Sequence, residues 1–271
     1  MKRSRIAALL LALLLLCACG RQPAEPITTT ETQSNTVRVT FPEGKTTLQI
    51  AQLLEQNGVC SAADFLKAAD ESESEIALSL RGQDRPFLLE GYVFPDTYEF
   101  YRNESAASAL SRFLRNFGNR FTDEDRARAQ AVGMTVDEVV TLASIIQAEA
   151  GDPAQMPKVS AVLHNRLERG MKLQCDVTYF YLERTVMPYL CPGDWDDEVY
   201  ETYADLYYTY RIAGLPQGPI CNPGSDAIRA ALYPADTDDL YFVTDEAGNY
   251  YYSPTYEQHQ KTCREIGANA S

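Results

Sequence analysis

Histidine is scarce in this chain: His164 and His259 are the only two among 271 residues. No Cys/His cluster has the spacing of a zinc site, so no metal is expected. Neither histidine stands in a recognisable nucleophile motif, which argues against a serine or cysteine hydrolase. Basic residues are also short, with 24 Lys and Arg against 38 Asp and Glu and a net charge of -14. A chain this acidic is a poor partner for nucleic acid. It does not adhere by charge to an anionic wall or membrane either. Tryptophan occurs once, against 17 tyrosines. Tyrosine combines a flat apolar face with a polar tip, and so suits half-buried strands as well as sugar or peptide grooves. There is no internal repeat.

The N-terminus reads as a targeting segment. Lys2, Arg3 and Arg5 precede an apolar run over residues 7–16, which falls short of the ~20 residues a spanning helix needs. Leu16-Cys17-Ala18-Cys19 then has the form of a lipobox. The expectation is a lipoprotein signal over residues 1–18 and a lipid on Cys19. The protein would then be extracytoplasmic and anchored to the cell membrane without a spanning helix. An ordinary secretory signal cut after Ala18 or Gly20 is the alternative. Losing Lys2, Arg3 and Arg5 takes the net charge from -14 to about -17. Residues 19–35, rich in Pro, Thr, Gln and Glu, read as a disordered tether. Beyond it stand Cys60, Cys175, Cys191, Cys221 and Cys263, an odd number that leaves at least one thiol unpaired within the chain.

Residues 36–70 carry a strand followed by two helices, with Val37, Val39 and Phe41 alternating and Ser61 capping the second helix. An acidic linker leads to residues 87–101, whose alternating aromatics suggest irregular strands or a hairpin. Helices are expected over residues 106–117 and 123–131. Thr135-Val136-Asp137-Glu138 is a capping box that opens a longer helix, which Gly151 and Pro153 end. Further helices are expected over residues 154–169 and 225–232. A hairpin is expected over 240–253, and a last short helix carries His259.

In the long helix Val139, Leu142, Ala143 and Ile146 recur at helical spacing. Glu149 lies seven residues after Leu142 and so only ~20° away from it around the axis. Its carboxyl therefore points along the apolar stripe, while Gln147 falls off it. Desolvation there raises a carboxyl pKa, which is what a general acid near neutral pH requires. The same placement also fits a buried Glu149 paired with Arg166 or another cation.

Three blocks of the chain resemble the MltG/YceG-like endolytic murein transglycosylases. The first is Leu89-Glu90-Gly91-Tyr92-Val93-Phe94-Pro95-Asp96-Thr97-Tyr98. The second runs from Ala143-Ser144-Ile145-Ile146-Gln147-Ala148-Glu149 through Asn165-Arg166-Leu167 to Leu173-Gln174-Cys175-Asp176. The third joins Tyr210-Arg211-Ile212, Gly214-Leu215-Pro216, Gly218-Pro219-Ile220 and Asn222-Pro223-Gly224, with Leu240-Tyr241-Phe242-Val243 and His259 beyond it.

The resemblance implies an α+β fold: a small LysM-like module over residues 36–70, then a larger mixed α/β catalytic domain over 85–265. It implies cofactor-free cleavage of the bond between N-acetylmuramic acid and N-acetylglucosamine, leaving a 1,6-anhydro end and trimming or terminating nascent glycan strands. The partners implied are peptidoglycan strands, the membrane through the lipid, and cell-wall synthases. The catalytic residue of the family falls on Glu149. Gln174, Asp176, Asn222, Arg166 and Tyr210 match positions of its cleft, where they contact substrate or stabilise loops, with Asp176 the expected partner of Arg166. A Cys175–Cys221 disulfide is one expectation for the loops of that cleft. Departures from the family pattern are Gln147 for a frequent Glu, Tyr208 for Asn, Val177 for Pro and Gln260 for Asn. Two alternatives stay open: a hydrolytic muramidase using Glu149 with Asp176 or Asp152, and a lipid-anchored wall-binding module without activity.

Overall fold

The first amide groups of a helix have no partner within it, and side-chain oxygens placed just ahead of many of the helices here satisfy them. The computed structural model describes residues 35–268. The expected signal segment, Cys19 and nearly all of the tether lie outside the described residues. Thr46, Ser61 and Ser74 cap α1 (Thr47–Gln56), α2 (Ala62–Asp70) and α3 (Glu75–Leu80). Ser105, Thr122 and Thr135 cap α4 (Ala106–Arg120), α5 (Asp123–Ala131) and α6 (Val136–Glu149). The next helix, α7 (Met156–Glu168), carries a proline in its first turn, where a missing N–H costs nothing. Then come α8 (Asp176–Tyr181), a π-helical turn over Leu182–Val186, α9 (Met187–Leu190), α10 (Asp197–Tyr207), α11 (Ser225–Leu232) and α12 (Tyr256–Ile266). No single helix among the described residues is long and apolar enough to cross a membrane.

Two small antiparallel sheets complete the fold. In one, β1 (Thr36–Thr40) pairs with β2 (Thr97–Tyr101), setting Val37 opposite Phe100 and Val39 opposite Tyr98. In the other, β3 (Tyr241–Thr244) pairs with β4 (Tyr250–Ser253). The strand–helix–helix pattern of residues 36–70 is thus closed by a strand from beyond residue 96. Phe41 binds the two parts together: its ring lies 5.0 Å from Phe113 of α4 and 6.1 Å from Phe100 of β2, both edge-on. Residues 36–70 and 85–265 consequently share one hydrophobic core.

Only residues 97–101 of the aromatic 87–101 stretch form a strand. The part before it turns tightly instead, with the Tyr92 amide donating to the Leu89 carbonyl at 3.1 Å. The Val93 amide meets the Asn222 side-chain oxygen at 2.8 Å rather than a neighbouring strand. Gly91 sits at the turn with φ +89°, and a Cβ there would lie 2.5 Å from Pro219 Cγ and 2.7 Å from Val140 Cγ1. Both the backbone conformation and the missing space require glycine. Gly91→Ala is expected to lower stability by about 3–5 kcal/mol, read as a fall in the urea midpoint.

Candidate active site

Along α6 every residue from Val139 to Ile146 is buried, Thr141 and Ser144 included, because α11, α7 and α8 all pack against it. Its last turn emerges from that packing. Gln147 turns to one side, where its side-chain oxygen accepts the Gly224 amide at 3.0 Å. Glu149, half-buried, turns to another and lines a polar cleft that opens to solvent. The helix end is held by β4, since the Tyr250 hydroxyl donates to the Glu149 carbonyl at 3.2 Å.

Protein surrounds the Glu149 carboxyl closely although the cleft leaves part of the residue open. Desolvation is the largest influence and the negative charge of Asp176 the next, and together they push its pKa up to about 7. Hydrogen bonds from the Cys175 thiol and the Val177 amide pull the other way, and the Arg166 charge does so least. The negative end of the α6 dipole also disfavours a carboxylate at this position. Glu149 forms no ion pair among the described residues. The group therefore carries its proton through much of the neutral range.

Arg166 accounts for the missing pair. It is buried on α7 and its fork reaches backbone carbonyls: Nε donates to Leu240 at 2.6 Å and Nη1 to Leu173 at 2.7 Å. Its guanidinium stacks 5.0 Å from the Tyr241 ring centroid. The expected Arg166–Asp176 pair is not formed. Two converging loops offer carbonyl dipoles that satisfy the fork, so Arg166 braces the cleft wall.

The loop that Arg166 braces at Leu173 turns at Gln174, which adopts a left-handed backbone at φ 52°. The reversal leaves Cys175 buried between the exposed Gln174 and Asp176. Thr209 secures it: its carbonyl accepts the Gln174 amide at 3.2 Å and its hydroxyl accepts the Cys175 amide at 2.9 Å. Asp176 accepts the Tyr210 hydroxyl at 2.9 Å. Glu149, Arg166, Gln174, Asp176 and Tyr210 are thus brought together as lining of one cleft. Leu173, Cys175, Phe242 and His259 join them there. His259 is buried and stacked 5.3 Å from Tyr241, and burial holds its pKa below the usual value, so the ring is neutral near pH 7. The sequence pointed to His259 only through its place in the third block. Nothing in its spacing revealed the cleft.

Asn222 is not in the cleft. It is fully buried, and its amide donates to the Lys45 carbonyl at 3.0 Å and to Glu90 Oε1 at 2.9 Å while its oxygen takes the Val93 amide. Glu90, a second buried acid, accepts there from the Thr47 amide at 2.8 Å and hydroxyl at 2.9 Å, yet desolvation outweighs these donors and raises its pKa to about 7. The expected Cys175–Cys221 disulfide is absent. Both cysteines are free, and the Cys221 thiol donates instead to the Ser144 carbonyl at 3.3 Å. Asp152 is exposed and accepts the Ala154 amide at 3.0 Å at the loop surface. Among the described residues no group of three His, Cys, Asp or Glu side chains could hold a metal ion.

Fold and cleft together define a class: a mixed helical and strand protein that sets one proton-bearing carboxyl, unpaired with any cation, in the wall of a polar cleft. The model of the YceG-like family matches residues 20–265, and the chain belongs to that family. It is 33% identical over 178 residues to an endolytic murein transglycosylase of Bacillus subtilis, covering 64% of this chain and 46% of the relative. It is 27% identical over 262 residues to one of Streptococcus pneumoniae, covering 90% of this chain and 46% of the relative. The chain thus spans about half the length of the curated relatives it matches. A solved putative YceG-like protein of Listeria monocytogenes superposes with a TM-score of 0.68 at 29% identity, over 83% of this chain and 75% of that one.

Proposed function

We propose that the protein is an endolytic peptidoglycan lytic transglycosylase with Glu149 as its acid and base. The observation that carries this reading is the Glu149 carboxyl, set in the wall of an open polar cleft, in no ion pair among the described residues, with desolvation pushing its pKa up to about 7. Glu149 gives its proton to the oxygen between N-acetylmuramic acid and N-acetylglucosamine as the bond from that oxygen to the anomeric carbon breaks. The muramic acid C6 hydroxyl attacks the same carbon and returns its proton to the Glu149 carboxylate. No water is consumed and the acid is regenerated, so one carboxyl suffices where an ordinary glycosidase needs two. The names of the similar proteins support this chemistry. Gln174, Asp176 and Tyr210 are substrate contacts in this reading, and Arg166 holds the wall on which two of them stand.

The antiparallel pairing of β1 with β2 beside α1 and α2 supports a LysM-like, glycan-holding module ahead of the cleft. A lipid on Cys19 would keep the enzyme at the outer face of the cell membrane. There, nascent strands leaving cell-wall synthases are its substrate.

An acid of pKa about 7 must be protonated to start the reaction, so kcat/KM is expected to fall as pH rises above about 7. Asp176→Asn removes a negative charge that favours the protonated form. The alkaline limb is therefore expected to move to lower pH with turnover retained below it. A pH–rate profile of both proteins on purified peptidoglycan checks this. Loss of turnover at every pH would instead make Asp176 the second carboxyl of a hydrolase.

A further inference from the structure

Aromatic rings continue outward from the cleft. Tyr210, which lines it, has its ring centroid 5.4 Å from Tyr208, and Tyr208 lies 5.6 Å from Tyr179 on α8. On α10, Tyr200 packs at a tilt with its ring centroid 5.1 Å from Trp195, which is 52% exposed. These rings do not form the centre of a core: Tyr179, Tyr200, Tyr208 and Tyr210 are each only half-buried. Two of the hydroxyls are tied down at the edge, Tyr210 to Asp176 and Tyr179 to Glu183, which fixes the ring planes.

From these partly exposed rings, the first of which lines the cleft, we infer a glycan-binding track, a set of subsites that carries the strand away from Glu149. The inference rests on the transglycosylase reading and names where the uncleaved remainder of the strand lies. A pyranose presents a face of C–H groups that packs on an aromatic plane, and rigid tyrosines supply that plane at small entropic cost. Stacking also suits the charge of the protein, since a chain of net charge -14 gains nothing from general attraction to a wall polymer that is itself anionic. A track of this length favours attack within a long strand over attack on short fragments.

Trp195 is the only tryptophan, so its fluorescence reports from the far end of the row. The test uses the full chain carrying Glu149→Gln, titrated with peptide-free murein glycan strands and, separately, with the murein disaccharide. Long strands are expected to shift the Trp195 emission. Tyr208→Ala with Tyr179→Ala is expected to weaken long-strand binding by about tenfold, while Tyr208→Phe with Tyr179→Phe stays near the parent value because the ring faces survive. Disaccharide binding is expected to be the same in all three. With Glu149 restored, the alanine pair should raise KM on long strands and leave kcat close to wild type. Long-strand affinity indifferent to the alanine pair, or binding without a Trp195 response, would overturn the track while cleavage by the wild type continued. A folded wild type that neither binds nor cleaves glycan would overturn both the track and the activity beneath it.

Discussion

Glu149→Gln is expected to lower the rate of peptidoglycan cleavage by about a hundredfold to ten-thousandfold, the range of a lost general acid–base. Glutamine keeps the shape of the side chain but has no proton to give the leaving oxygen. The variant separates chemistry from folding because the expected stability change has the opposite sense. The native carboxyl holds its proton up to about 7 against an ordinary value of 4.5. Between those values the folded state binds more protons than the unfolded one, so stability falls as pH rises through that window. Glu149→Gln removes this cost. Its melting temperature should match wild type at pH 4 and equal or exceed it at pH 8. Calorimetry at both pH values checks the stability, and glycan turnover checks the activity.

Asn222→Ala is expected to destabilise the protein by about 3–5 kcal/mol, because several buried groups lose their partners at once. The Val93 amide loses its acceptor, the Lys45 carbonyl a donor, and Glu90 one of the hydrogen bonds that ease its burial. The Glu90 pKa would rise further. Stability should fall most at alkaline pH, where charging that carboxyl costs most. Urea titrations at pH 6 and pH 8 measure this. A KM raised tenfold with an unchanged urea midpoint would return Asn222 to the role of a substrate contact.

These two residues also show what the sequence reveals and what it hides. The capping box at Thr135 and the apolar spacing after it are local, so the start of α6, its length and the placement of Glu149 along its apolar stripe could be read directly. The separate direction of Gln147 followed from the same helical geometry. The partners of Arg166 could not be read, because they are carbonyl groups, which every residue carries. The same holds for β1, whose partner strand lies 57 to 65 residues further on in the register that pairs Thr40 with Thr97 and Thr36 with Tyr101. Asn222 stands in a block whose order marks the family, but order does not say which way a side chain faces. Glu90, among leucines and a glycine, gave no periodic signal, and its burial comes from contacts with Thr47, Tyr181 and Asn222. The helices α8 to α10 were missed because their aromatics follow neither a strand nor a helix pattern clearly.

Mass spectrometry of peptidoglycan digested with the purified protein, wild type beside Glu149→Gln, tests the central claim most directly. The account predicts 1,6-anhydro-ended fragments, one water lighter than hydrolytic products, from the wild type and almost none from the variant. Reducing-end fragments from the wild type would contradict it and make the enzyme a hydrolase.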